Sequence, residues 1–109
     1  MKTFNDLHFH PHPISVQMEE IASMAPSWMV AKYQGCTQAE EHFPNGYGVS
    51  VVFGKPFYSN GVDTYEVAVL KGDDIDMGNQ LLQGGVIGNQ SPQEVSRIME
   101  RLQQLPPCE

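Results

Sequence analysis

The segment Asp6-Leu-His-Phe-His-Pro-His12 holds the side chains most able to do chemistry in this chain. His8, His10 and His12 alternate, so an extended backbone would put three imidazoles on one side, within reach of a single divalent metal. The plainer reading is a histidine-rich arm that takes up zinc or nickel adventitiously. Pro11 and Pro13 remove backbone donors and keep the residues before them extended, so the arm Met1 to Pro13 is expected to be extended and at an edge.

Other groupings are weaker. Cys36 and His42 share one expected strand, but six residues at about 3.3 Å each separate them by some 20 Å, too far for a thiol–imidazole pair. Gly84-Gly-Val-Ile-Gly88 lacks a following Lys-Ser or Lys-Thr and reads as turn glycines, not a phosphate loop. Asp73, Asp74 and Asp76 with Asn79 lack the Gly and distant Glu of a calcium loop and read as a solvated turn. The expectation is therefore no catalytic set, no metal and no cofactor. Trp28, Phe57 and Tyr58 are interface anchors if exposed. With Asp73, Asp74 and Asp76 they form the expected partner-binding residues.

The histidine segment resembles the Asp-x-His-x-His opening of metal-dependent phosphoesterases of the polymerase-and-histidinol-phosphatase type and of amidohydrolases. In that resemblance Asp6, His8 and His10 match metal-binding positions. Such enzymes are barrels of about 250 residues. This chain has 109, and no histidine follows His42 to complete the ligand set.

Bulk properties narrow the classes further. One domain, residues 1–109, accommodates this length. Six Lys and Arg against thirteen Asp and Glu give a net charge of −7. The basic residues are scattered, which argues against direct nucleic-acid binding through phosphates. The acidity serves solubility, or a surface that occupies a basic partner site. Cys36 and Cys108 have no ligand-like spacing, and no apolar run forms a leader or a membrane span. The expected location is a reducing cytoplasm.

The elements that must position these residues are partly written in local chemistry. In Phe43-Pro-Asn-Gly-Tyr47, Pro44 presets the first turn position and Gly46 supplies the left-handed one, giving a three-residue hairpin loop. That loop pairs Phe43 with Tyr47, Glu41 with Val49, Ala39 with Val51 and Thr37 with Phe53. Strands are expected at Thr37 to Phe43, Tyr47 to Phe53 and Thr64 to Lys71. Ser15 to Ala25 reads as a helix capped by Ser15, with Val16, Ile21 and Met24 as its apolar stripe. Trp28 to Ala31 is too short to assign, Gly54 to Asp63 is a loop, and Gln80 to Asn89 is irregular.

Ser91-Pro-Gln-Glu94 is a capping box with proline at the first helical position. Val95, Ile98, Met99, Leu102 and Leu105 follow as one stripe, ended by Pro106-Pro107, with 106–109 a frayed tail. The fold class is α+β: a three-stranded antiparallel meander packed on the C-terminal helix, with the arm and the first helix completing the cover. A homodimer through the edge strand Thr37 to Phe43 is an option, opposed by Glu40 and Glu41.

Several of these segments together resemble a group of short, uncharacterised proteins of tailed bacteriophages and prophages. They are Met1 to Pro13, Gln38-Ala39, Phe43 to Val52, Tyr65 to Gly72, Val86-Ile-Gly88 and Ser91 to Val95. Met77-Gly-Asn-Gln80 departs from the Tyr-Asp-Thr-Pro loop common there. The resemblance implies a setting, the infected bacterial cell, and brings no catalytic residues. The expected function is a non-enzymatic accessory protein that binds a host or phage protein. One version is an inhibitor of a bacterial defence or nucleic-acid-processing enzyme. The alternatives are a small metal-dependent hydrolase using the His8/His10/His12 arm and a virion-associated structural protein.

Overall fold

The computed structural model describes residues 1–108. Among them are six strands and three α-helices: β1 (His10–Pro11), α1 (Pro13–Glu20), α2 (Ser27–Lys32), β2 (Thr37–His42), β3 (Tyr47–Phe53), β4 (Tyr65–Lys71), β5 (Asp74–Ile75), β6 (Val86–Gln90) and α3 (Pro92–Gln103). The class is mixed α+β. The sheet is antiparallel throughout and runs β1-β2-β3-β4, with β5 and β6 both on the outer side of β4.

The central hairpin has the register its turn chemistry dictates. Thr37 pairs with Phe53, Ala39 with Val51 and Glu41 with Val49. Phe43 N donates to Tyr47 O at 2.7 Å, and Gly46 takes φ 92°, a left-handed value that glycine adopts without strain. Odd-numbered residues of β2 to β4 therefore share one face. Ala39, Val49, Val51, Val67 and Val69 are fully buried there, beneath Val95, Met99 and Leu102 of α3. Each buried Val, Leu or Met side chain contributes about 1.5–3 kcal/mol by leaving water, so this layer holds the fold together. On the opposite face Gln38 Nε2 donates to Ser50 Oγ at 2.8 Å.

Several expectations need correction. The meander is the middle of a larger sheet. β6 adds to β4 within the stretch expected to be irregular, because a bulge breaks its alternation: Ile87 pairs with Val67 but Gln90 pairs with Tyr65, and Asn89 adopts φ 54°. The first helix starts at Pro13, not Ser15. His12 is its N-cap, its ring accepting from Ile14 N at 3.0 Å, while Ser15 is buried and its hydroxyl donates to the Tyr33 carbonyl. That helix packs on α2, and its expected stripe faces outward: Val16, Ile21 and Met24 are all exposed.

The arm is not extended throughout. Phe4–Asp6 form a 3₁₀ turn, Leu7 is buried, and Phe4 and Phe9 stand 5.0 and 5.5 Å from Tyr65, ring centre to ring centre. Phe4 N donates to Ser96 Oγ at 3.0 Å, tying the arm to α3. At the other terminus Cys108 N donates to Asn45 O at 2.8 Å, so the chain from α3 lies back on the β2–β3 turn up to that residue. The molecule measures 48 × 26 × 24 Å.

Candidate functional site

The connection from β3 to β4 is a loop, as its Pro, Asn and Gly residues imply, but it is densely bonded. Ser59 is buried. Its hydroxyl donates to Thr64 O at 2.6 Å and accepts from Gly54 N and Gly61 N, each at 3.2 Å. Asn60 Oδ1 accepts from the amides of Val62, Asp63 and Thr64 at 2.9–3.0 Å, and its Nδ2 donates to Asp63 Oδ1 at 2.8 Å. Short polar side chains of this kind replace the partners that a sheet or helix would supply.

The loop is also pinned to the sheet. Tyr58 N donates to Glu66 Oε2 at 2.9 Å, and Asn89 N donates to Tyr58 O at 2.7 Å. Gly88 allows that approach, since a Cβ there would sit 2.3 Å from Tyr58 Cβ. With its backbone held, the loop turns Tyr58 (71% exposed) and Val62 (77%) into solvent. Phe57 points the other way and packs at a tilt against the His12 ring, centroids 4.8 Å and planes 42° apart. It positions the loop and is only half exposed.

The helical pair lies beside this loop. Ala31, Lys32, Gln34 and Gly35 line one side of a groove whose other side is Gly54, Lys55 and Gly61. Trp28 is one turn before Lys32, hence on the same side of α2. Trp28 is 64% exposed and Met24 81%. The helical pair and the loop beside it thus expose four large apolar side chains: Met24 between the helices, Trp28 on α2, and Tyr58 and Val62 on the loop. No family model, curated protein or solved structure matches this chain. Its functional reading rests on the chemistry of its own surface.

The structure separates the other expected site residues from this region. Asp73 and Asp74 are exposed at the β4–β5 turn, and Asp76 is half-buried, accepting from Asn79 Nδ2 at 3.2 Å. They lie at the far end of β4, about 20 Å from the loop at a strand's rise per residue. The three imidazoles are not brought together as a ligand set. His8 and His10 are exposed, and His12 Nδ1 is occupied by the helix cap. Among the described residues no group of three or more His, Cys, Asp or Glu side chains is placed to hold a metal. His12 has its pKa lowered, first by burial and then by the charge of His10, which favours the neutral ring that caps α1.

Sequence reasoning missed a second concave feature at the acidic end. Tyr47, Lys71, Asp76, Asn79, Gln80 and Cys108 line an open cleft of about 470 Å³. The nearby Cys108 side chain, and then burial, raise the Tyr47 phenol pKa. Among the described residues the titratable side chains that line the cleft are Tyr47, Lys71, Asp76 and Cys108. No local pattern joins Tyr47 to Cys108; the fold-back of the chain after α3 creates the pair. Among the described residues no helix is long and apolar enough to cross a membrane.

Proposed function

We propose that this chain is a non-enzymatic accessory protein of a phage or prophage that acts by binding a host or phage protein. The docking surface is the one that carries Met24, Trp28, Tyr58 and Val62. The observation that carries the reading is the loop between β3 and β4: its amides and carbonyls are bonded inward, yet it turns two large apolar side chains outward. A loop already held in one shape loses little entropy on binding, and exposed aromatics are the residues that anchor interfaces. The partner surface is apolar, with recesses for an indole and a phenol ring. An inhibitor of a bacterial defence or nucleic-acid-processing enzyme is the version that also uses the net charge of −7, which suits a target with a basic working site.

The test is affinity capture from infected bacteria, comparing the native chain with the Trp28→Ala/Tyr58→Ala double variant. The native chain retains a partner in fixed stoichiometry. The double variant loses it, because a central anchor contributes about 2 kcal/mol or more, roughly a thirtyfold change in affinity each. Equal capture by a folded double variant would overturn the assignment of this surface.

A further inference from the structure

Arg97 and Arg101, the two arginines of the chain, line a single groove with Glu94, Ile98, Leu81, Leu82 and Gln90. They stand one turn apart on α3 and are both exposed, while Leu82 is buried and Leu81 and Ile98 are half-buried beneath them. Among the described residues neither arginine forms an ion pair. Glu94 is the carboxylate of the groove. Its Oε1 is engaged by Ser91 N at 3.1 Å in the helix cap, and its charge is felt by Arg97. Gln90 is likewise tied, donating to Gly88 O at 3.0 Å. Two guanidiniums over an apolar floor fit a ligand that sets carboxylates beside aliphatic side chains.

The same edge of the molecule carries that chemistry. The β4–β5 turn exposes Asp73 and Asp74, followed by Ile75 at 49% and Met77 at 74% exposure. Lys71, paired with Asp74 across the turn, is the one cation facing it from β4. β5 and β6 both extend the outer side of β4, and Leu81 follows Met77 by a short loop, so knuckle and groove are neighbours along one edge.

We propose that this edge is a two-fold interface between copies of the chain, in which the Asp73–Met77 knuckle of each copy enters the Arg97/Arg101 groove of the other. Asp73 and Asp74 meet the guanidiniums, and Ile75 and Met77 cover the floor formed by Leu81 and Ile98. Because each copy presents both halves on the same edge, one rotation satisfies both contacts and closes the assembly at two. The residues that make these contacts are different from Trp28 and Tyr58, so the dimer stands or falls independently of partner docking.

Salt is a poor test, since it screens both the local attraction and the repulsion between two copies of charge −7. Charge reversal is decisive. Sedimentation of the native chain over a wide concentration range shows a monomer–dimer equilibrium. Arg97→Glu/Arg101→Glu and Asp73→Arg/Asp74→Arg each weaken dimerisation by on the order of tenfold to a hundredfold. An equimolar mixture of the two variants restores a dimer, because each groove then finds an opposite knuckle. The milder Arg97→Gln/Arg101→Gln variant weakens dimerisation in the same direction while leaving the circular dichroism spectrum unchanged. A native chain that stays monomeric, a neutralised variant that dimerises as tightly as the native chain, or a mixture of folded variants that fails to associate would each overturn the proposal.

Discussion

Asn45 Nδ2 donates to the Leu102 carbonyl at 2.8 Å and to the Leu105 carbonyl at 3.2 Å, so the β2–β3 turn caps the end of α3. Its Oδ1 accepts from Tyr47 N at 3.2 Å, and its backbone oxygen accepts from Cys108 N. One turn residue therefore closes its own hairpin and also bonds two carbonyls at and just beyond the end of α3, Leu102 O being shared with Leu105 N at 3.2 Å. The two layers of the fold are locked together at this point.

Replacing Asn45 by Ala removes that cap and the turn bond together. The expected cost is about 1–3 kcal/mol, read as a lower urea midpoint. Asn45→Asp is the more informative change. It keeps an acceptor for Tyr47 N but sets a carboxylate against the negative end of α3, so it destabilises more than a loss of donors alone would.

His12 makes stability depend on pH with a defined sign. The folded state favours the neutral ring, so the His12 pKa lies below its ordinary value of 6.5. The unfolded chain then binds the proton first as pH falls. The contribution is complete above about pH 6.5 and is lost progressively below it, through the lower folded pKa. The urea midpoint of the native chain falls from pH 7.5 to pH 5.5. In His12→Asn, which keeps a capping oxygen but does not titrate, the fall is smaller. An equal slope in both proteins would show that other groups carry the effect.

The β3–β4 loop separates holding from presenting. Ser59→Ala leaves the amides of Gly54 and Gly61 without their shared acceptor and Thr64 O without its donor, so it costs about 1–3 kcal/mol. Tyr58→Ala removes an exposed ring and stays within about 0.5 kcal/mol of the native chain. Chemical denaturation of the two variants side by side checks the contrast, and a large loss for Tyr58→Ala would mean that its ring supports the fold.

Gly88→Ala tests whether sheet and loop are one rigid unit. The new Cβ would lie 2.3 Å from Tyr58 Cβ and 3.0 Å from Tyr58 O. Either the loop or β6 must move, at about 1–3 kcal/mol. Faster hydrogen exchange of the Asn89 amide, now bonded to Tyr58 O, is the expected signature. Binding at the docking surface proposed above is expected to weaken in the same variant.

The hairpin and α3 were legible because their signals are local. Pro44, Asn45 and Gly46 specify the turn, and the turn specifies the register of every pair up to Thr37 and Phe53. Ser91 and Glu94 specify where α3 begins, and both capping bonds are present, Glu94 N to Ser91 Oγ at 3.2 Å among them. β6 was not legible, because its partner β4 lies well upstream in the chain and the bulge at Gly88 and Asn89 hides its alternation. The cap of α1 was misplaced because Ser15 has the right side chain, but its hydroxyl serves the Tyr33 carbonyl, a long-range demand that no helical pattern displays. The dimer option along Thr37 to Phe43 narrows for a similar reason: β1 pairs with Thr37 and Gln38, leaving a shorter edge.

The candidate surface divides the same way. Trp28 and Tyr58 could be named from residue type alone, whereas Phe57, equally aromatic, turned inward onto His12. Taken by itself, the sequence determined the turn, the strand register, the start of the last helix and the acidic balance, since each depends on residues a few positions apart or on a sum. Tertiary structure alone decided which apolar groups face water and which polar groups share a groove. Those outcomes depend on distant segments competing for the same side of one sheet, where α3 and the N-terminal arm occupy the inner face and leave the α1–α2 pair outside.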